Sequence, residues 1–437
     1  MTMPIIPSSL SLLSPKAYPV YGTHVEFEWK NQGNNKSNKK YKNSTISVVY
    51  AIPSPRKGAN NGGNFVIHSS SSSSTTTSTS ATTATTSITV NGIVILLHAC
   101  THNAFKFFSP STTKCPDCVG LSEELQLVRH VLERGYVALA VTCSNAKSGC
   151  WGDGEDVDRI RYVVDEFIRR HSIHHSIITS TTNNSAAADN NSDNTRSNNN
   201  DKVGVTVYAI GASSGGYMAA KIMAEGIANS AAVMVMGLGE QLLNKLLSLN
   251  KPQTASTTND AAAASTTRRR LYFAPMTKDK GTAKRVRENY KYLIEQQKSS
   301  SQKPFEVILD ETSCLPLPVT VEYLWNRVPG MTKEASKIIV DTLLEQKHLD
   351  PANNLLIVNP TKSNWRDYLL ALPHPAAAAY TKKEKNGSTN NNKMLLWETF
   401  DLTPGISPLA KALHRAWAMH EYCSESVIPA IDFFEKE

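Results

Sequence analysis

Ser213 stands in the run Gly211-Ala212-Ser213-Ser214-Gly215, and the residues on either side give that spacing a mechanical meaning. Val205 to Ile210 is rich in β-branched and aromatic residues and stops at a glycine, while residues 214–226 read as helix. A serine between a strand and a helix, with glycine two places before and two after, lies on a turn too tight for flanking side chains. Gly211 and Gly215 therefore supply positions without a Cβ. Such a turn pushes the hydroxyl out at the C-terminal edge of a sheet, in front of a helix N-terminus whose dipole favours negative charge. Ser213 is the candidate nucleophile. Ser214 is the competing hydroxyl, but Ala212 stands where its turn would need glycine, and its backbone N–H suits another task.

A serine hydroxyl is a weak nucleophile at neutral pH and needs a base, itself oriented by a carboxylate. When the nucleophile sits on a turn of this kind, the acid and then the histidine follow it in the chain. Asp279 fits the acid: the strand 271–274 ends, a short loop follows, and a helix begins just beyond it. Asp310 and Glu311 are its rivals, but they follow the next strand. The histidines beyond the acid are His348, His374, His414 and His420. His420 opens the loop before the closing helix and is the candidate base; His414 lies within a helical run and His374 between prolines. A tetrahedral oxyanion needs two backbone donors. The Ser214 N–H is one candidate. The loop after strand 93–97, through Ala99 or Cys100, offers the other. A metal reading of His98, Cys100 and His102 is weak, because His98 sits at the strand end and His102 is expected to point elsewhere.

The elements that must position these residues are legible as an alternation. Strands are expected at 93–97, 136–142, 205–210, 231–236, 271–274 and 305–309, with helices at 121–134, 156–170, 214–226 and 282–295 between them. Ile93 to Leu97 is continuously apolar, as a strand covered on both faces should be. Repeated strand–helix units with such strands imply an α/β fold, a mostly parallel doubly wound sheet with helices on each side. Residues 44–52 and 64–68 read as a strand pair at the sheet's edge. A helical cap is expected near 317–371, and residues 409–437 read as helix, break and closing helix. Residues 1–43 are read as an irregular N-terminal segment and 44–437 as a single domain. Polar low-complexity tracts near 68–87, 179–201, 250–267 and 384–393 fall between elements and read as surface insertions, which cost little extra loop entropy.

Composition narrows the function. The 437-residue chain has no apolar run of the length a membrane span requires. Its N-terminus lacks the basic, then apolar, pattern of a secretory leader. The net charge of +8 is spread over clusters at Lys36 to Lys42, Arg268 to Arg270 and Lys278 to Arg287 with no interleaved aromatic platform, which argues against a nucleic-acid surface. The count of seven cysteines is odd, and five of them lie between Cys100 and Cys150. Cys115-Pro116-Asp117-Cys118 has no second Cys-x-x-Cys to complete a zinc site. Local disulfides, such as Cys115 or Cys118 to Cys143 or Cys150, are plausible pairings. No cofactor is expected.

Leu97-His98-Ala99-Cys100-Thr101-His102-Asn103-Ala104 resembles the Leu-His-Gly-Cys-x-x-x-Ala loop of the polyhydroxybutyrate depolymerase and feruloyl/acetylxylan esterase branch of the α/β-hydrolase superfamily. Cys150-Trp151, Asp156-Val157 and Gly211 to Gly216 are similar to the same branch. With Cys115 to Leu121 and Asn364-Trp365-Arg366-Asp367, the chain resembles plant-type α/β-hydrolase proteins over residues 90–437. The resemblance implies an α/β-hydrolase fold and a serine hydrolase with the triad Ser213, Asp279 and His420, but not a substrate; the expected partner is a small-molecule or polymeric ester. Ala99 departs from the pattern, standing where the family has glycine. That departure motivates a second reading, a hydrolase fold that binds a ligand without turnover.

Overall fold

The computed structural model describes residues 19–29, 44–54, 65–69, 86–171, 173–175, 205–249, 268–298, 305–371, 402 and 407–436. His374 and most of the four low-complexity tracts lie outside the described residues.

The strands are β1 (Thr23–Trp29), β2 (Ser44–Ala51), β3 (Phe65–Ser69), β4 (Thr86–Val90), β5 (Gly92–Leu97), β6 (Tyr136–Val141), β7 (His174–His175), β8 (Val207–Ala212), β9 (Ser230–Met234), β10 (Arg270–Ala274) and β11 (Glu306–Leu309). The main sheet has eight strands in the order β1-β2-β6-β5-β8-β9-β10-β11. From β6 to β11 the neighbours are parallel, while β1 and β2 form an antiparallel edge. The fold is therefore α/β with a mostly parallel sheet. The chain steps from β5 to β6 on one side and then to β8 on the other, so the strand order reverses at β5. A crevice opens beyond the strand ends at such a reversal.

The helices are α1 (Ser122–Glu133), α2 (Glu155–Arg170), α3 (Ser214–Ala224), α4 (Glu240–Leu247), α5 (Lys280–Lys298), α6 (Val321–Arg327), α7 (Lys333–Glu345), α8 (Trp365–Ala371), α9 (Pro408–Trp417) and α10 (Val427–Phe434). Strand alternation splits the core in two. Ile93, Ile95 and Leu97 face α2 to α5, with Phe167, Met218, Leu243 and Val286. Val94 and Leu96 face α1 and α10, with Val128, Ile431 and Phe434. A third cluster, including Leu324, Ile339, Leu343, Trp365 and Leu413, joins α6 to α9. That helical layer is docked on α1 by buried charge: Arg327 contacts Glu123, and its other nitrogen lies 2.5 Å from Glu425. Arg415 reaches Glu425 at 2.8 Å. Burial works against the Glu425 charge, but the two arginines outweigh it and hold the carboxyl at about 2.

Four expectations are corrected. The segment read as irregular contains β1, whose Phe27 and Trp29 alternate with Glu26 and Glu28 and are buried beside β2. The expected pair of 44–52 with 64–68 does not form; β2 pairs with β1 and β6, and β3 joins β4 and β7 in a separate sheet. Helix α4 follows β9, where the sequence reading placed no element. The disulfides are Cys100–Cys150, Cys115–Cys118 and Cys314–Cys423, with Cys143 free and buried. The tight turn of the Cys115 loop closes on itself, since Cys118 N–H donates to the Cys115 carbonyl. Cys150 instead meets Cys100, because Thr101 N–H bonds Ser148 O at 3.2 Å. Among the described residues, no helix is long and apolar enough to cross a membrane.

Removing one member of a buried charge network leaves its partners unpaired. Arg327→Met is expected to lower unfolding free energy by about 3–5 kcal/mol, read as a drop in the urea midpoint; an unchanged midpoint would show that the network does not dock the helical layer.

Candidate active site

Ser213 lies between β8 and α3 with φ 54° and ψ −125°, a strained backbone for a residue with a side chain. The turn is held because Ser213 N–H bonds Met234 O on β9 at 3.0 Å and Ser213 O accepts Tyr217 N–H at 3.1 Å. A Cβ on Gly211 would collide with the Gly215 carbonyl, and one on Gly215 would collide with the Leu97 carbonyl. The glycines thus let α3 start directly on the end of β5. Ser214 opens that helix, so its N–H is among those with no intrahelical acceptor.

The structure brings His420 and Asp279 to this hydroxyl. His420 Nε2 is 3.0 Å from Ser213 Oγ, and Nδ1 is 2.8 Å from Asp279 Oδ2. The serine and the aspartate lie 207 and 141 residues from the histidine along the chain. Asp279 is fixed at the start of α5: its Oδ1 accepts Thr282 N–H at 3.3 Å, as a helix cap does. Burial works against its charge, yet hydrogen bonds from His420 and from the Thr282 hydroxyl and N–H outweigh it and hold the carboxyl below the usual range. His420 follows a left-handed break at the end of α9, with Ala418 at φ 58° and His420 at φ 44°. Lys278 N–H to Ala418 O at 3.1 Å ties the aspartate loop to the histidine loop.

The rival residues stand elsewhere. Asp310 takes the Tyr272 hydroxyl and the Thr312 and Ser313 N–H groups. Glu311 pairs with Arg287 on the surface. His348 packs by Tyr368 in the helical layer, and His414 is half-buried on α9 with its Nε2 buried and without a hydrogen-bond partner.

The loop after β5 is built on His98. Its Nε2 faces Cys143 N–H at 3.1 Å and so must accept, which leaves the proton on Nδ1 to be donated to Ala99 O at 2.9 Å. The Trp151 indole donates to His98 O at 2.8 Å. Both His98 nitrogens are thus engaged and Cys100 is in a disulfide, so neither serves as the metal ligand weighed from sequence. The Tyr422 hydroxyl donates to Leu97 O at 2.7 Å. A cavity of about 150 Å³ beside Ser213 is bounded by the loop from Ala99 to His102 and by Val235, Lys411 and His420 to Tyr422. Sequence reasoning missed Lys411, Glu421 and Tyr422; a Lys and a Glu near a chain end carry no pattern, though adjacency to His420 was a usable signal.

No family model matches the chain, and no curated protein matches its sequence. Solved structures similar to it include a thermostable esterase, at 11% identity and a TM-score of 0.32, covering 70% of this chain and 58% of that one. FphF, a fluorophosphonate-binding serine hydrolase of Staphylococcus aureus, is 12% identical with a TM-score of 0.28, covering 66% and 90%. Est1E of Butyrivibrio proteoclasticus, solved with ferulic acid bound, is 11% identical with a TM-score of 0.28, covering 69% and 96%. The chain thus spans little more than half the length of the thermostable esterase, at 58%. Likeness at this level says nothing about substrate.

Burial pushes the His98 imidazole down from 6.5 to about 4, with the Ala99 carbonyl only partly opposing it. The unfolded chain therefore binds a proton here that the folded chain refuses. This stability is complete above pH 6.5 and is lost as pH falls towards 4, amounting to about 3 kcal/mol. Urea midpoints of wild type and His98→Gln should converge over that window; parallel curves would refute the buried neutral imidazole.

Proposed function

We propose that the chain is a serine hydrolase of the α/β-hydrolase superfamily that cleaves carboxylic esters through an acyl-enzyme. The observation that carries this reading is the continuous contact Ser213–His420–Asp279 at a strained strand–helix turn, with 3.0 and 2.8 Å between successive partners. His420 takes the Ser213 proton as Oγ attacks the ester carbonyl. It then gives that proton to the leaving alcohol as the C–O bond breaks. Water, deprotonated by the same imidazole, attacks the acyl-serine and releases the acid. Asp279 holds the ring with Nδ1–H towards itself and stabilises the imidazolium.

The oxyanion is assigned to the N–H groups of Ser214 and of the Ala99–Cys100 turn. In this reading either N–H of the Ala99–Cys100 turn can serve as the loop's donor. In this reading the Ala99 methyl leaves the donor path open, and the chain turns its ester over rather than binding it silently. We assign the main sheet, β1 included, and its helices to one domain, with 317–371 as its helical cap, and the substrate to small-molecule or polymeric esters without choosing among acyl groups.

A fluorophosphonate probe is expected to label wild type at Ser213 and to leave Ser213→Ala unlabelled. On p-nitrophenyl esters of increasing chain length, Ser213→Ala and His420→Ala should each lose roughly 10⁴-fold or more in kcat. Folded wild type that is neither labelled nor active would favour ligand binding without turnover. Ala99→Gly should change kcat by less than about threefold, a small effect of the size expected when no transition-state donor is removed; a large gain would show that the methyl obstructs the oxyanion donor.

A further inference from the structure

Two charged residues at the back of the Ser213 cavity have no part in the chemistry above. Glu421 follows His420 directly, and its side chain is 3% exposed. One carboxylate oxygen lies 3.0 Å from Lys411 Nζ on α9, and the other accepts the Tyr422 N–H at 3.1 Å. Lys411 itself is 12% exposed. Burial opposes both charges. It is outweighed at Lys411 by Glu421 and Glu124, which raise the ammonium, and at Glu421 chiefly by Lys411, which lowers the carboxyl. The pair therefore stays ionised. A buried ion pair adds little net stability over apolar residues of the same shape, so stability does not explain its presence here.

The backbone beside it does need holding. Ala418 and His420 both take left-handed φ, at 58° and 44°. A conformation of this kind is strained and persists only where its surroundings over-determine it. Ala418 is tied to the aspartate loop through Lys278 N–H, and Met419 Sδ accepts from Asn359 at 3.3 Å. After the histidine, the anchors include the Glu421 carboxylate on Lys411, the Glu421 N–H on Met276 Sδ at 3.4 Å and the Tyr422 hydroxyl on Leu97 O. Tyr422 fixes the chain to the sheet; the ion pair fixes the residue adjoining the imidazole to the helix that precedes it. The turn from α9 into the histidine loop is thus closed by a charged link between its two arms.

We propose that the Lys411–Glu421 ion pair is the positioning device for His420, holding the left-handed turn so that the imidazole stands between Asp279 and Ser213. The role rests on the hydrolase reading, because its purpose is to align a base. Lys411 and Glu421 act through His420 and are positioning residues.

The test uses the full chain and two readouts. Lys411→Met and Glu421→Gln are each expected to lower kcat on p-nitrophenyl acetate at least tenfold with KM changed less than twofold. The downfield proton resonance of the His420–Asp279 hydrogen bond should broaden or vanish in both variants. Lys411→Arg, which keeps the cation, should keep the resonance and lie within about threefold of wild-type kcat. If Lys411→Met does not fold, the double variant Lys411→Met/Glu421→Gln, without a buried unpaired charge, carries the same expectation. Wild-type kcat and an unaltered resonance in the folded variants would overturn the positioning role. A wild type that shows the resonance but hydrolyses no ester would overturn the hydrolase reading, and the resonance in the variants would then decide the positioning role alone.

Discussion

The contact on which the site depends is the close approach of the Gly215 backbone to the Leu97 carbonyl. It sets the first turn of α3 directly on the end of β5, so that helix N–H groups point into the crevice opened by the reversed strand order. The price is local strain at Ser213, with φ 54°, and the strain is sustained because β8 is central and locked between β5 and β9. A serine held this way cannot rotate its backbone out of the crevice without breaking the Met234 carbonyl bond.

The remaining parts reach the crevice because the chain's C-terminal end is pinned to the sheet. Phe434 O accepts from Arg270 at 2.8 Å and from the Tyr208 hydroxyl at 3.3 Å, so α10 is bonded to two strands. The loop before α10 is joined to the segment after β11 through Cys314–Cys423. Between these fixed points the histidine loop has little freedom. Asp279 serves two structures at once, capping α5 with one oxygen and meeting His420 with the other. The helix that follows Asp279 thus depends on the same carboxylate that meets His420.

Much of the framework was legible because it is written in local periodicity. The apolar run of β5 and the spaced apolar residues of α2 each declare a buried element without reference to anything distant. β1 was missed because its alternation, Val25, Phe27 and Trp29 between charged residues, is short and lies beside low-complexity sequence. The assignment of residues 64–68 to the main sheet failed for another reason. A strand's periodicity shows that it has two faces but not which neighbour it pairs with, and β3 found β4. Cysteine pairing was equally beyond reach, since it depends on which loops meet.

The sequence by itself determined the types and order of the reactive residues, the glycines that make the turn at Ser213 possible, and the alternation that requires a layered α/β fold. These follow from backbone sterics and side-chain periodicity, which act over a few residues. Tertiary structure alone decided that His420 stands within 3.0 Å of Ser213 while His348 and His414 are packed away from it. It also decided that Lys411 meets Glu421 and that Cys100 joins Cys150. Those outcomes depend on contacts between segments far apart in the chain, and their distances are set by how whole strands and helices pack rather than by any local pattern.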